Sequence, residues 1–255
     1  MISEHNQIES TTKLVPHRAL TEFYPAPAQR AGFVSDLFDR AARDYDRMSG
    51  VIAFGTDRQY RRSALQRAGL SPVMRALDVA TGTGLVAQAA LDLGIAPANL
   101  IGIDPSLGML AENRRRRSIE LVQGLGERLP FQDSAFDFVV MGYALRHVED
   151  LAKLFAEFHR VLRSPGRVLL LEITRPSSRV GLALMRFYLG KFLPLLTRLG
   201  TRRHDSARLL EYYWATIEEC VPPAAILSSF AAAGFSAVQR KSSANILSEY
   251  VAVKK

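Results

Sequence analysis

From Val73 onward the chain alternates short apolar runs with longer stretches of helical spacing. Five runs read as strands: 74–80, 99–104, 119–123, 136–142 and 167–173. Between most of them, 84–93, 106–117 and 150–163 repeat apolar residues at steps of three and four, which predicts helices. Asp150 suits the N-cap of the third helix, and Ser164-Pro165-Gly166 reads as its stop followed by a turn. Strand alternating with helix predicts an α/β fold, a mostly parallel sheet with helices on both faces. Further on, Pro222-Pro223 opens a helix over 222–233 that Gly234 closes. Residues 235–241 and 246–254 then read as two last strands.

The pattern before Val73 is different. Phe33, Leu37, Ala41 and Tyr45 fall on one stripe and predict a helix from Ala31 to Met48. A second helix is expected over 57–69, with Asp57 near its start and Gly69 at its end. Together 31–70 form a helical cap. Residues 1–30 lack periodicity and contain Pro16, Pro25 and Pro27, so they read as a flexible arm or an extended wrap. Residues 176–221 read as a basic, apolar helical insert, a lid before the last strands, with Pro194 expected to kink or divide its helix. The whole of 31–255 is then one domain, which a chain of 255 residues with 48% hydrophobic content can sustain.

Composition narrows the setting. A single cysteine, Cys220, excludes an internal disulfide and suits the cytoplasm. The polar start MISEHNQIES shows no signal peptide, and no apolar run has the length of a membrane span. The net charge of +8 is concentrated: residues 175–203 hold seven Lys or Arg and no acid. Within it Arg175, Arg179 and Arg186 share one helical face, and Lys191, Arg198 and Arg202 another. Two readings stand: a solvated lid or homodimer contact, or an anionic membrane surface met from the cytoplasmic side. The tract Arg114–Arg117 ends a predicted helix, where cations suit the dipole, and it lacks interleaved aromatics, so no nucleic-acid partner is expected.

Candidate chemistry centres on residues 76–89, ALDVATGTGLVAQA. Strand, glycine-rich turn and helix make a cradle for a nucleotide-type cofactor, because glycines admit close approach and the helix start offers free N–H groups. Gly82, Gly84 and Ala87 satisfy GxGxx[GA], and Asp104 lies 20 residues after Gly84 where a ribose would be held. Those features alone suit a nicotinamide dinucleotide of an oxidoreductase as well as S-adenosylmethionine. Asp78, four residues before Gly82, matches the Asp-x-x-x-Gly-x-Gly pattern of class I methyltransferases. Asp104-Pro105-Ser106-Leu107-Gly108-Met109-Leu110 resembles their second motif, and Glu127 to Asp137 resembles the loop before their fourth strand. Met109 and Phe131 read equally as core residues.

Outside that half, Leu37–Met48, Phe54-Gly55, Arg58 and Ala144-Leu145-Arg146-His147-Val148-Glu149-Asp150 are similar to the ubiquinone/menaquinone C-methyltransferase family, of UbiE/MenG type. Further matches are Glu157, Arg160-Val161-Leu162 and Leu171–Pro176, so the likeness runs from about residue 33 to 176. It implies a Rossmann-like class I methyltransferase fold and S-adenosylmethionine as cofactor. The implied acceptor is a lipophilic quinol or phenol, with O- or N-methylation of another acceptor as the alternative. Expected cofactor contacts are Tyr45, Asp78, Ala80, Thr81, Gly82, Thr83 and Gly84 in the first half of the site. Asp104, Pro105, Ser106, Met109 and the loop Gly124-Leu125-Gly126-Glu127 complete them. Carbon methylation needs an electron-rich ring, hence ionisation of an ortho hydroxyl. Arg146 is read as the cation beside it or as a structural partner of Glu149 or Asp150, His147 as the proton acceptor or as a helix-entry residue bonded to nearby backbone, and Tyr143 as a wall of the transfer chamber. No spacing makes His204 and Asp205 a metal site. The chain departs from the family where Thr81 stands for a Gly, Leu85 for an Asp and Ala144 and His147 for the ends of Gly-Leu-Arg-Asn.

Overall fold

Seven strands, β1 (Ala76–Val79), β2 (Leu100–Asp104), β3 (Glu120–Gln123), β4 (Phe136–Gly142), β5 (Leu162–Ile173), β6 (Ser236–Ser243) and β7 (Leu247–Lys254), form one sheet. Its order is β3-β2-β1-β4-β5-β7-β6 in a computed structural model that describes residues 13–53, 55–195 and 204–255. The strands from β3 to β5 run parallel, while β7 is antiparallel to both β5 and β6. Every residue of β1 and β2 is buried, as a strand covered on both faces requires. The strand order reverses between β1 and β4, and ligands of open α/β sheets bind in the crevice at such a point.

Nine helices surround the sheet among the described residues: α1 (Arg30–Ala41), α2 (Tyr45–Ile52), α3 (Asp57–Arg67), α4 (Leu85–Leu91), α5 (Leu107–Arg116), α6 (Leu151–Val161), α7 (Arg179–Phe187), α8 (His204–Glu218) and α9 (Pro223–Ala232). On one face Leu77, Val79, Ile101 and Ile103 pack against Leu154, Phe155 and Phe158 of α6 and Phe230 of α9. Phe155 and Phe230 stack at 3.9 Å, and each buried phenylalanine stabilises by about 1.5–3 kcal/mol. On the other face Ala76, Leu100, Phe138 and Val140 pack against Ala64 and Leu65 of α3 and Ala87 and Ala90 of α4. A third cluster stands off the sheet and joins the N-terminal helices to the insert, through Leu37, Ala41, Met185, Leu189, Tyr212 and Trp214.

The expected helix over 31–48 is two helices, turning at Ala42–Asp44. The apolar stripe continues through the turn, so periodicity does not reveal it. What holds the turn is tertiary: Asp46 accepts from the Thr83 hydroxyl, and Tyr45 bonds Tyr213. β5 starts at Leu162 rather than 167, pairing with Phe136 across a register shift. Ahead of Pro194 the chain forms a π-helical turn, Tyr188–Phe192. A proline lacks the N–H that would bond the carbonyl four residues back, and the wider turn accommodates that loss. Arg198 and Arg202 lie outside the described residues.

The arm is not free over 13–29. Leu14 and Pro16 accept backbone bonds from Leu151 and Val221, and Leu20 and Tyr24 are buried in the third cluster. This stretch is an extended wrap, held because its side chains fill the seam between α1 and α8. No helix among the described residues is long and apolar enough to cross a membrane.

Candidate active site

The first loop leaves β1 with Ala80 at φ 54° and turns through Gly82 at φ 54° and Gly84 at φ 87°. Gly84 is the N-cap of α4 and supplies no side-chain cap. It is also cramped, since a Cβ there would lie 2.5 Å from Asn113 Oδ1. Asn113 in turn donates to Thr81 Oγ1 and to the Gly82 carbonyl, both at 3.3 Å, so α5 braces the loop. Asp78 is fully buried beneath it and accepts the Thr81 hydroxyl at 2.7 Å, while its Oδ1 has no partner among the described residues. Burial raises its pKa to about 7.

Asp104 closes β2. Its two oxygens accept the Gly82 and Ser106 backbone N–H groups, each at 2.8 Å, which ties the first loop to the second. Burial nevertheless pushes its pKa up to about 6. Ser106 caps α5 by accepting from Met109 N. The helical cap is fastened over both loops by two acids. Asp39 accepts from Gly108 N at 2.8 Å and from the Ser106 hydroxyl, and Asp46 accepts from the Thr83 hydroxyl and Arg116. Arg115 pairs with Glu112 and Arg117 donates to the Thr83 carbonyl, so most of the arginine tract is spent inside the fold.

Above these loops lies a cavity of about 380 Å³. Of the sequence-expected residues it gathers Tyr45, Ala80, Gly82, Asp104, Pro105, Ser106, Met109, Leu125, Gly126, Glu127, Tyr143 and His147. Asp78, Thr81, Thr83, Gly84, Gly124 and Arg146 do not line it; Asp78, Thr81 and Gly84 brace the first loop from behind, and Gly124 N bonds the Asp104 carbonyl. Sequence reasoning missed Arg30, Ser35 and Tyr213, which also face the cavity. Tyr213 sits in the aromatic run Tyr212-Tyr213-Trp214, a visible signal, but nothing in its spacing says which ring turns inward.

A second cavity, of about 470 Å³, lies between α2, α3, α7 and the turn from β6 to β7. Met48, Ile52, Leu184, Met185, Leu189 and Ile246 are among the apolar side chains of its wall. It meets the first cavity at three side chains common to both, Tyr45, Tyr143 and Tyr213. The Tyr45 and Tyr213 hydroxyls bond each other at 2.6 Å, and Tyr143 holds a left-handed backbone at φ 61°. Burial raises the Tyr45 and Tyr143 pKa values well above the usual phenol, so both stay neutral. One corner of the second cavity is polar. There Arg61 pairs with Asp57, Ser49 donates to Asp57 at 3.3 Å, and the guanidinium stands 5.0 Å over the Tyr143 ring.

The expected catalytic pair separates. Arg146 is completely buried, paired with Glu172, bonded to Thr216 Oγ1 and stacked 4.6 Å from the Tyr213 ring centre. It lines neither cavity, and burial raises the pKa of Glu172 beside it. His147 does reach the first cavity, packed among Phe38, Tyr212 and Tyr213. Neither ring nitrogen has a partner among the described residues. Burial, then the charges of Arg146 and Arg30, hold its pKa well below the usual histidine value. It is therefore a neutral ring that takes up a proton poorly. Arg58, one of the residues that carry the family resemblance, clamps Asp92 on the surface at 2.9 Å and 3.1 Å.

A sheet of this order with a glycine turn after β1 and an acid ending β2 defines a class I methyltransferase. Solved structures agree on that fold: a SAM-dependent methyltransferase of Thermotoga maritima superposes with a TM-score of 0.61 at 19% identity, covering 87% of this chain and 99% of that one. One of Aquifex aeolicus gives 0.56 at 14% identity, over 76% and 89%. The model of the ubiE/COQ5 methyltransferase family matches residues 26–254, and the chain belongs to that family. It is similar to a demethylmenaquinone methyltransferase of Mycobacterium sp. (strain KMS), 34% identical over 87% of this chain and 94% of that protein. It is also similar to a ubiquinone/menaquinone biosynthesis C-methyltransferase UbiE of Desulfotalea psychrophila, 36% identical over 65% and 68%. The chain is thus a methyltransferase, and family and fold imply S-adenosylmethionine as its methyl donor.

Proposed function

We propose that this enzyme methylates a ring carbon of a reduced, lipophilic quinone of the demethylmenaquinol kind. The observation that carries this is the second cavity: apolar walls, one polar corner, and a junction with the first cavity at Tyr45, Tyr143 and Tyr213. The curated relatives named for demethylmenaquinone methylation support the acceptor class.

The residues of the first cavity fit S-adenosylmethionine. Asp104 keeps lone pairs on both oxygens for hydroxyl groups of a ribose, and Met109 and Leu125 offer apolar contact for a base. A Cβ on Gly82 would meet nothing within 4 Å, so the backbone at Ala80 and Gly82 leaves room for a ligand to come close. When bound, this cofactor supplies an electrophilic methyl group. The chain's contribution is position and dryness. Neutral tyrosines at the junction do not compete as nucleophiles for the methyl, whereas a phenolate there would. The apolar wall excludes water, and fixing an acceptor carbon in line can provide much of the acceleration. Incubation of the protein with S-adenosylmethionine and a short-chain demethylmenaquinol, followed by mass analysis, should show a product heavier by one CH2 on carbon. An O-methyl product, or none, overturns the reading.

We further propose that the outer face of α7 rests on an anionic membrane, where such an acceptor resides. Val180, Leu184 and Phe187 are exposed there by 71%, 64% and 59%, beside Arg179 and Arg186. Leu184 also lines the second cavity, so its mouth opens at this face. Flotation with phosphatidylglycerol vesicles at low salt should capture the protein, and Leu184→Glu with Phe187→Glu should release it. Equal flotation of both proteins, or of neither, removes the proposal.

A further inference from the structure

The polar corner of the second cavity has a chemistry that its structural role does not use up. Arg61 is only 4% exposed, and its Nε has no partner among the described residues, although one of its terminal nitrogens holds Asp57. Beside it the buried Tyr60 hydroxyl lies close to the Glu249 carboxylate and to Ser243 but makes no bond of good geometry with either. A buried donor left unpaired is costly, and the Arg61 Nε, with a poorly bonded hydroxyl beside it on one wall of an otherwise apolar cavity, asks for an acceptor atom from outside.

We infer that Arg61, with Tyr60, binds a ring oxygen of the methyl acceptor and favours its ionised form, with Asp57 holding the guanidinium in place. The inference rests on the quinol reading above and moves the activating cation from Arg146, which lines neither cavity, to the second turn of α3. The geometry suits the task. Arg61 stands 5.0 Å over Tyr143, and Tyr143 belongs to both cavities, so an oxygen at Arg61 sets the adjoining ring carbon toward the junction. A guanidinium against a phenolic oxygen lowers its pKa by roughly 1–3 units and leaves electron density on the ortho carbon. In the transfer itself the hydroxyl proton passes to solvent at the cavity mouth as the oxygen settles on Arg61. The ring carbon would then take the methyl group that bound S-adenosylmethionine supplies, with the broken bond's electron pair left on sulfur as a neutral thioether, and the ring C–H proton would pass by way of solvent to the ring oxygen, which restores the aromatic quinol.

The test uses 1-naphthol as probe, because its oxyanion absorbs at longer wavelength than the neutral form. Titrated with the full-length protein and S-adenosylhomocysteine, bound 1-naphthol should ionise about 1–3 pH units below free 1-naphthol. Arg61→Gln should abolish that shift and Arg61→Lys should keep most of it, each with unchanged affinity for S-adenosylhomocysteine. Tyr60→Phe, which removes one oxygen and spares the ion pair, should reduce 1-naphthol affinity several-fold. Absence of binding, ionisation as in free solution, or the same shift in wild type and Arg61→Gln overturns the inference. Turnover of demethylmenaquinol is measured separately, so failure of the acceptor reading is distinguishable from failure of the Arg61 assignment.

Discussion

The two cavities share three tyrosines and are built by opposite means. The first rests on two backbone loops, after β1 and β2, tied together through Asp104 and braced by Asn113, with side chains of α1, α5 and α8 around them. The second is made of side chains carried by α2, α3, α7 and a β-turn, elements brought together from distant parts of the chain. A backbone site suits a ligand that never changes, because its donors and acceptors do not depend on side-chain identity. A side-chain site can be respecified one residue at a time. The difference fits the proposal that the first cavity takes the methyl donor and the second the acceptor.

The sharpest way to break this division is to remove what holds the cap over the sheet. Arg146→Ala leaves Glu172 buried without its cation and Tyr213 without its stacked guanidinium. Loss of one partner from a buried pair costs about 3–5 kcal/mol, so urea unfolding should show a large fall in stability. Arg146→Met with Glu172→Leu should recover most of it. If Arg146 served substrate alone, activity would vanish while stability stayed put.

A smaller effect is expected at the first loop. Gly84→Ala forces a Cβ against Asn113 and strains a φ of 87°, which costs about 1–3 kcal/mol. Calorimetry should find weaker S-adenosylhomocysteine binding, while 1-naphthol binding to the second cavity stays close to wild type. Equal loss at both cavities would mean that they are one mechanical unit.

The mildest probe is pH. Asp104 has a folded pKa of about 6, above the unfolded value near 3.9. Being raised, it contributes stability below the unfolded value that is lost as pH rises through about 6. A ligand that needs the carboxylate behaves oppositely, so S-adenosylhomocysteine affinity should fall as pH drops from 7 to 5, by up to about tenfold per unit below 6. Affinity independent of pH across that range would show that Asp104 is not the ribose acceptor.

Residue patterns carried much of this molecule. Every expected strand of the parallel core is present within a few residues, because β1 and β2 are buried on both faces and their apolar runs have no competing reading. Ala80 and Gly82 of the first loop and every expected residue of the second meet in one cavity, since a glycine turn and a strand-end acid are local features with local causes. The turn at Ala42–Asp44 was not legible, because the apolar stripe runs straight through it and only bonds to Thr83 and Tyr213 impose it. Nor was the position of Arg146 legible. Its neighbour His147 reaches the cavity while Arg146 turns under it, and successive residues of a 3-10 turn point in different directions.

By itself, then, the amino-acid sequence determined the sheet, the order of its helices and the loop chemistry of a methyl-donor site, all set by hydrophobic period and by glycines within a few residues of one another. The tertiary structure decided what faces what. It sent Arg58 to the surface and Arg146 into the core, put Tyr213 against Tyr45 from 168 residues away, and set Arg61 in the wall of an apolar chamber. Those placements depend on which helices dock over the sheet, and docking is set by packing summed over many distant residues, which no local spacing encodes.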